Sequence, residues 1–127
     1  AMINKSLYER EGIMNNFEQS LIMDIASQEN ILFWHRNSVT KDKGFYLNGF
    51  SNNHYPDFIL YTQKGNLVLV ETKGDFLDND ESKAKNILGK KWAEKSGDNY
   101  KYFMVFESKN VDGCYTAKNF LDIIGEL

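Results

Sequence analysis

Met14, Phe17, Leu21, Ile22 and Ile25 recur at spacings of three and four, which predicts an amphipathic helix from about Ser6 to Gln28. Ile31-Leu32-Phe33-Trp34 is a short apolar run that reads as a strand, closed by polar His35-Arg36-Asn37. After a turn at Lys41-Asp42-Lys43-Gly44, Phe45-Tyr46-Leu47 opens a second strand. Asn48-Gly49 and Ser51-Asn52-Asn53 form a loop into a third strand over Tyr55–Thr62. Lys64-Gly65-Asn66 reads as a hairpin turn, and Leu67–Lys73 as the fourth strand. A second helix is expected from about Asp78, where Asp78 and Glu81 fit a capping box, to Gly97. Its inner stripe is Ala84, Ile87, Leu88, Lys91 and Trp92. Tyr100–Phe106 is a further buried strand, and Ala117–Ile124 a short helix with Phe120, Leu121 and Ile124 on one side. The order α-β-β-β-β-α-β-α predicts one α/β domain over residues 1–127, a mixed central β-sheet flanked by helices.

Charges interrupt this pattern at two places, Tyr55-Pro56-Asp57-Phe58 and Val70-Glu71-Thr72-Lys73-Gly74. Charged side chains rarely sit in or beside core strands without a partner or a purpose. Strand alternation puts Leu67, Leu69, Glu71 and Lys73 on one face. A three-residue turn at Lys64-Gly65-Asn66 would pair Gln63 with Leu67 and set Asp57 opposite Lys73. Asp57 and Glu71 would then be diagonal neighbours, about 7–8 Å apart between backbones. A two-residue turn would send them to opposite faces. Two carboxylates this close repel each other and raise one pKa, a problem that a cation removes. Oxygen ligands suit magnesium or manganese. Lys73 beside them suits a nucleophilic water or a developing phosphoryl charge. The plainer alternative is an Asp57–Lys73 salt bridge at a strand end. Glu18 falls within the apolar stripe of the first helix, so it is expected to point toward the sheet.

Composition narrows the setting. A chain of 127 residues suits one domain, and it buries roughly two thirds of its unfolded surface. No apolar run approaches the roughly 18 residues of a membrane helix, and no signal-peptide pattern opens the chain. No membrane partner is therefore expected. Cys114 is the only cysteine, which excludes an internal disulfide and a zinc knuckle. A reducing, cytoplasmic location is expected, and Cys114 is assigned no catalytic role. The net charge of -3 argues against a strongly basic nucleic-acid binder, though not against a nuclease, whose carboxylates await a cation. Lys83, Lys85, Lys90, Lys91 and Lys95 make the second helix the most basic part of the chain, either a DNA backbone track or a solvated face. Asp75, Asp78, Asp80 and Glu81 read as charges favoured at its N-terminus. His54 adjoins Tyr55-Pro56-Asp57, where it could touch a bound strand. Ala1-Met2 reads as a cloning scar, so the chain is expected to be a domain excised from a longer protein.

Asn16-Phe17-Glu18, Trp34-x-Arg36-Asn37, Tyr55-Pro56-Asp57-Phe58, Glu71-Thr72-Lys73-Gly74 and Lys83 follow in order between Met14 and about Trp92. This ordered set resembles the PD-(D/E)XK nuclease superfamily, most closely the C-terminal endonuclease domain of type III restriction enzyme Res subunits. The resemblance implies a restriction-endonuclease-like fold. It implies that Asp57, Glu71 and the Thr72 backbone carbonyl bind Mg2+, with Mn2+ as a substitute. Lys73 would then position the attacking water, and Glu18 would serve catalysis as a supporting group or a second-metal ligand. Lys83 would contact phosphate, with Lys90, Lys91 and His54 as further DNA contacts. The implied reaction is hydrolysis of double-stranded DNA to 5′-phosphate and 3′-hydroxyl ends. Relatives of this type carry a helicase-like motor N-terminal to the nuclease and work with a modification subunit. ATP would act only through that motor, because this chain has no G-x-x-x-x-G-K-[ST] loop. The alternative is a non-catalytic nucleic-acid-binding or assembly module that retains the nuclease fold. A glycosidase with paired carboxylates would leave the Glu-x-Lys spacing unexplained.

Overall fold

The computed structural model describes residues 5, 14–37, 45–48 and 53–127. The elements are α1 (Asn16–Ala26), β1 (Ile31–Arg36), β2 (Phe58–Thr62), β3 (Leu67–Lys73), a 3-10 turn (Asp75–Leu77), α2 (Asp80–Ser96), β4 (Tyr100–Phe106), β5 (Tyr115–Thr116) and α3 (Ala117–Ile124). The strands form one mixed sheet in the order β1-β2-β3-β4-β5. The first two pairings are antiparallel and the last two parallel, so the described residues form an α/β fold with a five-stranded sheet and three helices. The strand expected at Phe45–Leu47 is only a bridge between Leu47 and His54, and a two-residue β5 precedes α3. The part of the expected first helix before Met14, the turn at residues 41–44 and the loop at residues 49–52 lie outside the described residues. Among those described, no helix is long and apolar enough to cross a membrane.

Alternation along β2 and β3 supplies two cores. Phe58, Leu60, Val68 and Val70 face Leu21, Ile22 and Ile25 of α1 and Phe120 and Ile124 of α3. Leu69, Tyr102, Met104 and Phe106 face the other way, toward Leu88, Trp92 and Ala93 of α2.

Capping fixes where the helices begin. Asn15 caps α1 through the Glu18 amide at 2.8 Å, while Glu18 Oε1 accepts from the Asn15 amide at 3.1 Å. α2 starts at Asn79, whose Oδ1 accepts from the Ser82 amide at 2.9 Å, and not at Asp78. Asp78 is instead 3.1 Å from Lys109 Nζ, and Asp75 accepts from the Ser108 and Lys109 amides. The inner face of α2 is also rotated from the expected stripe: Ser82, Asn86 and Gly89 are buried, and Ile87 is 59% exposed. Ser82 and Asn86 are tolerated inside because they bond the Leu77 and Gly113 carbonyls. Gly89 is there because any Cβ would overlap the Tyr102 ring.

The β2–β3 loop has three residues, Gln63-Lys64-Gly65, one position earlier than expected. Gly65 takes φ +88, a conformation that suits glycine. The Thr62 amide donates to the Asn66 carbonyl at 3.0 Å, and the Gly65 amide to the Thr62 carbonyl at 3.0 Å. Pairing therefore runs from Tyr61↔Leu67 to Phe58↔Val70. The slip is two positions along β3, so each side chain keeps its face.

Candidate active site

One step beyond Phe58↔Val70, the register brings Asp57 level with Glu71 and not diagonal to it. Both residues stand at the end of the sheet where β3 finishes. Asp57 precedes β2 and is fixed by its neighbour: Oδ2 accepts from the Thr72 amide at 2.8 Å and from Thr72 Oγ1 at 2.7 Å. Glu71 is 5% exposed. Its Oε2 lies 3.3 Å from Lys73 Nζ, so Lys73 pairs with Glu71 and not with Asp57. Ionised, Glu71 Oε1 is buried without a hydrogen-bond partner. Burial pushes the Glu71 carboxyl up to about 8, and the adjacent Asp57 carboxylate adds to the rise. Lys73 and Lys85 pull against it.

Glu18 does turn toward the sheet and is buried. Its Oε2 is 3.2 Å from Arg36 Nη2 and 3.5 Å from Thr72 Oγ1, and Oε1 closes the capping box. It joins the site through Arg36 and Thr72. Among the described residues, no group of three or more His, Cys, Asp or Glu side chains is arranged to hold a metal. Arg36 is the residue that sequence reasoning left without a role. Its Nη1 reaches Asp57 Oδ1 at 3.4 Å and the Asp57 carbonyl at 3.1 Å. The available signal was a guanidinium at the end of an apolar strand, a place where a carboxylate partner is required.

His54 is 2% exposed, and its Nε2 lies 2.7 Å from the Tyr102 hydroxyl. Burial first, then Lys85 and Lys73, push its pKa down to about 3, so it is neutral near pH 7. His54 is thus placed inside, against Tyr102, and not on the surface where a DNA contact was expected. Burial, then Glu71 and Asp57, raise the Tyr102 phenol.

On α2 it is Lys85, not Lys83, whose charge acts on Glu71 and His54. Glu81 holds Lys85 at 3.3 Å. Lys83 and Lys90 line a cavity of about 390 Å³ with Asn86, Phe106, Val111 and Cys114. That cavity shares no residue with the Asp57–Glu71 site. Lys91 is exposed on α2. Asp57, Glu71 and Lys73 thus meet at the end of β3, with Arg36 on Asp57 and Lys73 on Glu71. Comparison of the chain with protein-family models, curated proteins and solved structures finds no match in any of the three.

Proposed function

We propose that this chain is a magnesium-dependent DNA endonuclease domain of the PD-(D/E)XK type, the cleavage module of a type III restriction enzyme. The observation that carries the reading is Glu71. It is a carboxyl buried beside a second carboxylate, with one oxygen left without a donor. Burial and the Asp57 carboxylate keep this group protonated near neutral pH even with Lys73 Nζ 3.3 Å away, so a further cation is needed to ionise it. Asp57, Glu71 and the Thr72 carbonyl are the residues that would hold Mg2+ or Mn2+, an all-oxygen set suited to either ion. When bound, the ion supplies charge neutralisation and an acidified water. Thr72 and Arg36 fix the Asp57 carboxylate from two sides. Lys73, tethered to Glu71, holds the attacking water or a phosphoryl oxygen. Water attacks phosphorus directly and the 3′-oxygen leaves, giving 5′-phosphate and 3′-hydroxyl ends without a covalent intermediate. Double-stranded DNA is the substrate. A helicase-like motor and a modification subunit are the partners, with ATP used by the motor alone.

Calorimetric titration with Mn2+ tests the site, and plasmid cleavage tests the reaction. Binding is expected in the wild type and absent from Asp57→Ala/Glu71→Ala. Cleavage is expected to vanish in Asp57→Ala, Glu71→Ala and Lys73→Ala. Full cleavage by Glu71→Ala protein free of contaminating nuclease would sink the mechanism. One observation favours the second reading, a non-catalytic DNA-binding or assembly module. Arg36 already pairs with Glu18 and Asp57, and Lys73 with Glu71. On that reading the wild type binds DNA but takes up no Mn2+.

A further inference from the structure

The Arg36 guanidinium lies between two carboxylates that come from different elements. Nη2 is 3.2 Å from Glu18 Oε2 on α1, and Nη1 is 3.4 Å from Asp57 Oδ1 ahead of β2. Nη1 also donates to the Asp57 carbonyl at 3.1 Å and the Asn37 carbonyl at 3.4 Å. The guanidinium carbon stands 5.5 Å from the centre of the Phe58 ring. A largely buried cation held on so many sides is a fixed part of the site, since the rigid planar fork of a guanidinium can engage both carboxylates at once.

Charge balance says what this part does. With Glu71 ionised, three carboxylates (Glu18, Asp57 and Glu71) face two cations, Arg36 and Lys73, while Lys85, which also acts on Glu71, is offset by Glu81 3.3 Å away. One divalent ion leaves a single positive excess, which one phosphodiester neutralises. A second divalent ion would leave a large excess in a poorly solvated place. Resting on the nuclease reading, we propose that Arg36 takes the place of a second metal ion. The site then loads one divalent ion between Asp57 and Glu71, while the guanidinium bridges Glu18 and Asp57. Arg36 is in this sense a positioning residue, because it sets the Asp57 carboxylate and closes the Glu18 side to further cations.

Counting ions tests this without any activity measurement. Calorimetric titration of the whole chain with MnCl2 is expected to give one ion per wild-type chain. Arg36→Gln frees Glu18 and Asp57, so two ions per chain are expected. The double variant Arg36→Gln/Glu18→Gln is expected to return to one. Two ions per wild-type chain, or one per Arg36→Gln chain, overturns the inference and leaves the nuclease reading standing. No binding to the wild type overturns the nuclease reading and this inference with it. Arg36→Gln leaves two carboxylates without their partner, so its melting temperature in EDTA is expected to fall. Mn2+ is expected to raise that temperature more than it raises the wild type's. An equal rise overturns the inference. If Arg36→Gln does not fold, Glu18→Gln decides: it is expected still to bind one ion, and loss of binding would make Glu18 a ligand and overturn the inference.

Discussion

Substituting Glu71 by glutamine should change how stability depends on pH, and the shape of the change follows from two buried groups. The Glu71 carboxyl moves from 4.5 up to about 8 in the fold. Between those values the folded chain keeps a proton that the unfolded chain has released. Folded stability therefore falls with rising pH, by about 1.4 kcal/mol per pH unit. His54 moves from 6.5 down to about 3, so over that range the unfolded chain binds the extra proton and stability rises with pH. From pH 4.5 to 6.5 the two slopes nearly cancel. Above pH 6.5 His54 has stopped contributing, and Glu71 alone remains. The metal-free wild type should lose about 2 kcal/mol between pH 6.5 and 8, against a typical total of about 5–15 kcal/mol. Glutamine keeps the shape of the side chain and cannot titrate. Glu71→Gln should stay level above pH 6.5 and show the His54 rise alone below it. Urea denaturation in EDTA at half-unit pH steps measures both curves. Wild-type and variant curves that run parallel from pH 6.5 to 8 would refute the reasoning. Added Mg2+ should flatten the wild-type curve and leave the variant's unchanged, because an ion then does what the proton did.

Gly89→Ala drives a methyl group into the Tyr102 ring, and should cost about 1–3 kcal/mol in urea denaturation. Asn79→Ala removes the cap on the Ser82 amide, with an expected loss of about 1 kcal/mol by the same measurement. Gly65→Ala places a side chain at φ +88 and should cost about 1–2 kcal/mol. A thermal midpoint unchanged by that substitution would mean that the loop sits elsewhere.

Much of this arrangement was legible in the sequence because it rests on periodicity. β4 and α3 coincide with the apolar runs that predict them, and the face shared by Glu71 and Lys73 follows from strand alternation. Loop length was readable as odd, but not the residues that fill it. Gly65 needs a positive φ, and that fixed the turn one position earlier and the register two positions over. Asp57 moved from facing Lys73 to facing Glu71 as a result. Apolar counting found Leu88 and Trp92 on the inner face of α2 but missed Ser82 and Asn86, polar side chains held there by the Leu77 and Gly113 carbonyls. Glu18 was readable as inward-pointing, yet its partner was not. The Arg36–Glu18 contact joins the two ends of an eighteen-residue separation through tertiary packing, which no local spacing encodes. His54 reads as a contact for a bound strand because it adjoins Tyr55-Pro56-Asp57, but Tyr102 on β4 holds it inside.

The hairpin also has a consequence in time. Asp57, Glu71, Thr72 and Lys73 all belong to the β2–β3 hairpin and its entrance, closed by a three-residue loop. Hairpins close in about 1–10 μs, well before segments distant in sequence meet. Glu18 and Arg36 reach the site only when α1 and β1 dock. Trimming Leu60 or Val68, a cross-strand pair, should therefore slow refolding in stopped-flow fluorescence, whereas Glu18→Gln should mainly speed unfolding. Equal effects on refolding would rule out this order. The candidate site would thus take shape first, with its two acids already side by side and still waiting for the arginine that steadies them.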